Sequence, residues 1–141
     1  MREGIAAKLG QLAKSGEKRA QMILEQLAIE PANPAVRVAA LNALRKASVG
    51  LPAMLGSLEA ENRWVRLAAV DGLAALRAPD AVSPLARRVH DSDPQIRFAA
   101  LKALFAIGGP EADAALDRAR EESSPEARAV ISRAAELAAK R

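Results

Sequence analysis

His90, within "VHDSDP" at 89–94, is the only imidazole in the chain, and there is no cysteine. Imidazoles and thiolates are the side chains best suited to act as bases, nucleophiles and metal ligands near neutral pH. Nucleophilic catalysis needs a nucleophile, a base and a group that orients the base. One histidine without a thiol is a poor basis for either a Ser-His-carboxylate or a Cys-His set. The lack of thiols also excludes a disulfide framework and a zinc-thiolate site, and it fits a cytoplasmic protein. "GG" at 108–109 lacks the strand and lysine of a phosphate loop. Glu121 and Glu122 fall at a turn and are expected to face water. His90 falls near the expected end of a helix, where a partial positive charge suits the dipole. The expectation is a chain with no catalytic residue, no metal and no cofactor.

The other reactive-looking feature is a set of spaced arginines. Four segments align on Arg37, Arg66, Arg97 and Arg128: "NPAVRVAALNAL" (33–44), "NRWVRLAAVDGL" (62–73), "DPQIRFAALKAL" (93–104) and "SPEARAVISRAA" (124–135). Their spacings of 29, 31 and 31 residues mark an array of repeats. A row of guanidinium groups could grip phosphates. Each arginine also lies one turn past a residue suited to cap a helix, so it can bond cap and turn groups, as in an Asp93–Arg97 pair at i,i+4. The structural role is the stronger reading for all four.

The elements that must carry these residues follow from the same alignment. Asn33, Asn62, Asp93 and Ser124 are side chains that accept from unpaired N–H groups at helix starts. Pro34, Pro94 and Pro125 follow, at the position where a missing N–H costs nothing. Four helices are therefore expected to begin within two residues of these caps. After each cap, apolar residues recur at +3, +6, +7, +10 and +11, as in Val65, Ala68, Ala69, Gly72 and Leu73, giving one buried face with small residues at its centre. Shorter apolar segments at 17–29, 49–58, 80–89 and 110–120 precede them, separated by breakers such as "APD" and "GGP". Each unit is a helical hairpin. Residues 2–14 read as a lone second helix covering the first hairpin, and the polar final helix reads as a cap. The predicted fold class is all-α: an α-solenoid of about four stacked antiparallel hairpins plus an N-terminal capping helix, in a single domain over 1–141. The chain could equally be a fragment of a longer protein.

Composition agrees. Half of the 141 residues are hydrophobic but only 2% are aromatic, which suits close-packed alanine- and leucine-rich helices. No apolar run approaches a membrane span, and the N-terminus has no signal-peptide core.

The pattern resembles the HEAT-repeat superfamily, most closely the short bacterial HEAT-like type named after phycobilisome lyases. "SDPQIRFAALKALFAIGGPEADAAL" at 92–116 carries the resemblance. The last unit departs from it, with Ala127 for Val or Ile and Val130-Ile131 for Ala-Ala. The resemblance implies stacked hairpins and a surface of second helices that meets partners. Di-iron members of the family bind metal through repeated His-Glu dipeptides; here His90 is followed by Asp91, so that role is not expected.

Candidate partner-binding residues are those that vary between units at outward slots. Five residues after each arginine stand Asn42, Asp71, Lys102 and Arg133. Eight after stand Arg45, Ala74, Phe105 and Glu136. Trp64 occupies a slot held elsewhere by Ala35, Gln95 and Glu126. Trp64 and Phe105 are aromatics that the architecture does not require, and aromatics and arginines dominate binding hot spots. Trp64 either reaches a partner or covers Pro34 or Leu58. Phe98 matches Val38 and Leu67 and is expected to be packing. The leading expectation is a non-enzymatic adaptor or scaffold that binds a protein. Binding of a nucleic-acid backbone is the alternative, favoured by a pI near 10 and by 15 arginines, and opposed by interspersed acids and a net charge of only +4. A bilin-lyase-type subunit is a further alternative that the resemblance brings.

Overall fold

A computed structural model describes residues 3–29 and 33–140. Nine α-helices and no strand occur among them. They are α1 (Glu3–Lys14), α2 (Lys18–Ile29), α3 (Pro34–Lys46), α4 (Leu51–Ser57), α5 (Arg63–Leu76), α6 (Val82–Arg88, preceded by a 3-10 turn at Pro79–Ala81), α7 (Pro94–Ile107), α8 (Pro110–Glu121) and α9 (Pro125–Ala139). The four capped helices begin one residue after Asn33, Asn62, Asp93 and Ser124, as expected. The helix expected from residue 2 starts at Glu3; residue 2 itself lies outside the described residues.

The helix starts are chemical. Asn33 is extended (φ −144°, ψ 106°), and its Oδ1 accepts from the Ala35 and Val36 N–H groups at 3.0 and 3.3 Å. Asn62 Oδ1 accepts from Trp64 and Val65 N–H at 2.9 and 3.2 Å. Asp93 Oδ1 accepts from Gln95 N–H at 2.8 Å, and Ser124 Oγ from Ala127 N–H at 3.2 Å. Each bond satisfies a donor that the first helical turn leaves unpaired.

The helix ends share a feature that residue types conceal. Eleven residues after the arginines stand Ser48, Arg77 and Gly108, and all three have positive φ, at 60°, 51° and 69°. A reversal of chain direction past a helix favours this region, which disfavours a Cβ. Only one of the three is glycine.

The chain divides into two compact units, Met1–Leu76 and Arg77–Arg141. In the first, α2 packs on α3 and α4 on α5 as hairpins, while α1, α3 and α5 pack side by side. α1 thus occupies the place of a second helix, as the lone-helix expectation had it. Leu24, Leu41, Leu44, Met54, Val65, Val70 and Leu73 form the core and are fully buried. Small residues set the spacing: a Cβ on Gly10 would lie 3.0 Å from that of Ala43, bringing α1 against α3.

In the second unit α6 packs on α7, α8 on α7, and α9 along α7. Leu85, Ile96, Leu101, Leu104, Leu116 and Ile131 are buried. Only Ile131 and Ala134 of α9 are buried; Val130, in a slot where the other units have alanine, is 45% exposed. The N-terminal helices are less polar outside than a cap would be: Ile5, Leu12, Met22, Ile23 and Ile29 are all exposed.

Candidate interaction surface

The four arginines point back into their own turns. Arg37 Nε donates to the Ala28 carbonyl at 2.8 Å, and its Nη2 reaches Ser57 Oγ, which is buried, at 3.4 Å. Arg66 Nη1 donates to the Ala60 and Glu61 carbonyls, each at 2.9 Å. Arg97 Nη1 donates to the Asp91 and Ser92 carbonyls at 2.8 and 3.3 Å. Arg128 Nε donates to the Arg120 carbonyl at 2.9 Å. Carbonyls at the end of a first helix have no intrahelical partner, and a guanidinium neutralises their partial charge. Donors committed to these carbonyls are withdrawn from any ligand.

Asp91 escaped the sequence reading. Its side chain is only 2% exposed, with Oδ2 3.1 Å from Arg88 Nη1 and Oδ1 accepting from Asp93 N–H at 2.9 Å. The carboxylate binds the end of α6 to the start of α7. The spacing Asp-x-Asp-Pro, an acid accepting from the N–H two residues on, was the available signal. His90 next to it is exposed, with Nε2 3.8 Å from Glu122 Oε2. Among the described residues no three His, Asp or Glu side chains gather as metal ligands would.

Trp64 is 53% exposed at the first turn of α5. With Pro34, Ala35, Val38, Ala39, Asn42 and Asn62 it lines an open hollow of about 410 Å³ between α3 and α5. Pro34 is therefore its neighbour, as the packing alternative had it, and the ring is still half in solvent. Arg63 lies over the indole, its Cζ 4.2 Å from the ring centroid. A second hollow, of about 460 Å³ between α1 and α3, is lined by Ala7, Gly10, Gln11, Lys14, Ala39, Asn42, Ala43 and Lys46. The two meet at Ala39 and Asn42.

The structure thus brings Trp64 and Asn42 together. Arg45 follows Asn42 by one turn on α3; it is half-buried, and its Nε is buried without a hydrogen-bond partner. Asp71 is exposed on α5. Lys102, Phe105 and Arg133 belong to the second unit. Phe105 is half-buried, its ring centroid 5.7 Å from Arg120 Cζ. Lys102 Nζ lies 5.3 Å from the Phe98 ring, and Arg133 Nη1 is 3.4 Å from Glu136 Oε2. Phe98, expected in the packing, is only half-buried. Lys14 and Lys46 were not singled out in the sequence: reading 2–14 as a second helix sets it on the first hairpin but gives no register against α3.

The fold is that of a helical-repeat array whose surface offers open hollows. A family model described as HEAT repeats matches residues 51–136, and the chain belongs to that family. No curated protein matches the chain. HEAT repeats are helical scaffolds that generally mediate protein interactions. No helix among the described residues is long and apolar enough to cross a membrane.

Proposed function

We propose that this chain is a non-enzymatic binding module that takes a protein partner on the side-by-side helices α1, α3 and α5, with Trp64 as its anchor. One observation carries the reading: a lone tryptophan, half exposed, edges a hollow whose described lining residues are uncharged, at a slot where its equivalents are alanine, glutamine and glutamate. Burying such a ring against a partner supplies a large contact area at little conformational cost. The arginine ladder is the weaker candidate, because each of the four guanidiniums already donates to at least one carbonyl of its own turn.

The test is site-specific photo-crosslinking in cells, with the reactive group at position 38 in the hollow and, as control, at position 87 on α6. Protein adducts from position 38 that vanish with Trp64→Ala support the reading. Adducts to nucleic acid alone, or protein adducts of equal yield from both positions, overturn it.

A further inference from the structure

The two hollows differ in chemistry, and the difference specifies an occupant. The α3–α5 hollow is walled by Pro34, Val38 and the Trp64 ring. The α1–α3 hollow carries Lys14 and Lys46, each in the last turn of its helix. Among the described residues no carboxylate lines either one, although the chain has 17 acidic residues. Among the described residues neither lysine has an ion-pair partner. Between them sits Asn42, half-buried, whose amide has no hydrogen bond within the described residues. An amide offers both a donor and an acceptor, which is what one peptide unit needs.

We infer that this face binds an extended acidic peptide segment, laid across α3. Its carboxylate lies between Lys14 and Lys46, a backbone amide pairs with Asn42, and an apolar or proline side chain rests against Trp64. Packed helices lie roughly 8–10 Å apart. The lysines also lie a helix length from Trp64: Ala35, beside the indole, is at the start of α3 and Lys46 at its end, about 16 Å of rise away. With the spacing across the helices the separation is about 20 Å, and an extended chain advances about 3.3 Å per residue, so the acid and the apolar anchor stand about six residues apart. Charge complementarity selects the acid, and no carboxylate among the described lining residues competes for the two cations. The inference rests on the protein-binding reading above and specifies the partner's chemistry.

A random peptide-display library selected on the full chain tests it. Enriched peptides should carry Asp or Glu about six residues from Pro, Leu or Phe. Trp64 is the only tryptophan, so its fluorescence reports occupancy directly when a synthetic copy of the winning peptide is titrated in. Lys14→Gln with Lys46→Gln should weaken that peptide about tenfold or more, and added salt should weaken it too. Both lysines are exposed, so these variants should melt like the parent. Selection on Lys14→Glu with Lys46→Glu should turn the enrichment from acidic to basic. Peptides that require Trp64 but show no acidic preference overturn the inference and leave the protein-binding reading standing. Failure of any peptide to enrich also overturns it, and the crosslinking then decides the broader reading alone. An oligothymidylate that changes Trp64 emission through Lys14 and Lys46, with no peptide doing so, overturns both.

Discussion

Arg97 Nη1 donates to the Asp91 carbonyl at 2.8 Å, across the turn that joins α6 to α7. Asp91 itself holds Arg88 and the Asp93 N–H. The two residues fix one turn from opposite sides, one through a side-chain donor and the other through a side-chain acceptor. Arg97→Ala removes charge-assisted bonds, each typically worth about 1.5–3 kcal/mol. A loss of roughly that size is expected in urea unfolding. Asp91→Ala strands the Asp93 N–H and should cost about 1–3 kcal/mol. If Arg97→Ala unfolds like the parent, the ladder has no structural role.

Core and cap can be ranked against each other. Leu101 is buried on α7 and its truncation to alanine should cost about 2–5 kcal/mol. Asp93→Ala loses the bond to Gln95 N–H and should cost about 0.5–2 kcal/mol. A melting series that ranks Asp93→Ala as the more damaging contradicts this packing.

The positive-φ slot predicts an inversion of the usual rule that glycine destabilises. Ser48 and Arg77 hold a conformation that costs a side chain about 1–2 kcal/mol. Ser48→Gly and Arg77→Gly should each raise stability, by about 0.5–1 kcal/mol once glycine's greater unfolded-state freedom is counted. Gly108→Ser should do the reverse. If Arg77→Gly lowers the melting temperature, the slot is not strained in solution.

How much was legible follows from these residues. Helix starts could be read because a cap is a residue type: Asn33, Asn62, Asp93 and Ser124 all carry the acceptor the geometry needs. Helix ends could not, because Ser48, Arg77 and Gly108 share a backbone angle and not a chemistry. The arginine spacing located the turns. Which carbonyls the guanidiniums reach depends on the path of the preceding turn, which no periodicity encodes. Trp64 stood out by comparison between units. Lys14 and Lys46 did not, because the sequence set α1 on the first hairpin without the register that brings the two lysines to one hollow.

The single-domain reading has a direct measurement. Trp64 lies in Met1–Leu76, so its emission follows that unit, whereas far-ultraviolet dichroism follows all the helices. A single domain unfolds with both probes coincident. Separated midpoints make residues 1–76 and 77–141 independent folding units.

Trp64 and Arg97 should give opposite results in paired assays. Trp64 is 53% exposed, so Trp64→Ala removes little buried area, and surface substitutions usually shift stability by under about 0.5 kcal/mol. Its melting temperature should stay near that of the parent. As a hot spot it should weaken binding by about 2 kcal/mol or more, roughly thirtyfold in Kd. Arg97→Ala should lower the melting temperature and leave affinity unchanged at temperatures where the fold persists, because its donors reach carbonyls of its own turn. Calorimetry of the two variants with a crosslinked partner, beside thermal melts, separates the roles. A large melting loss for Trp64→Ala with unaltered affinity makes the tryptophan a packing residue over Pro34, and the α3–α5 hollow then loses its anchor.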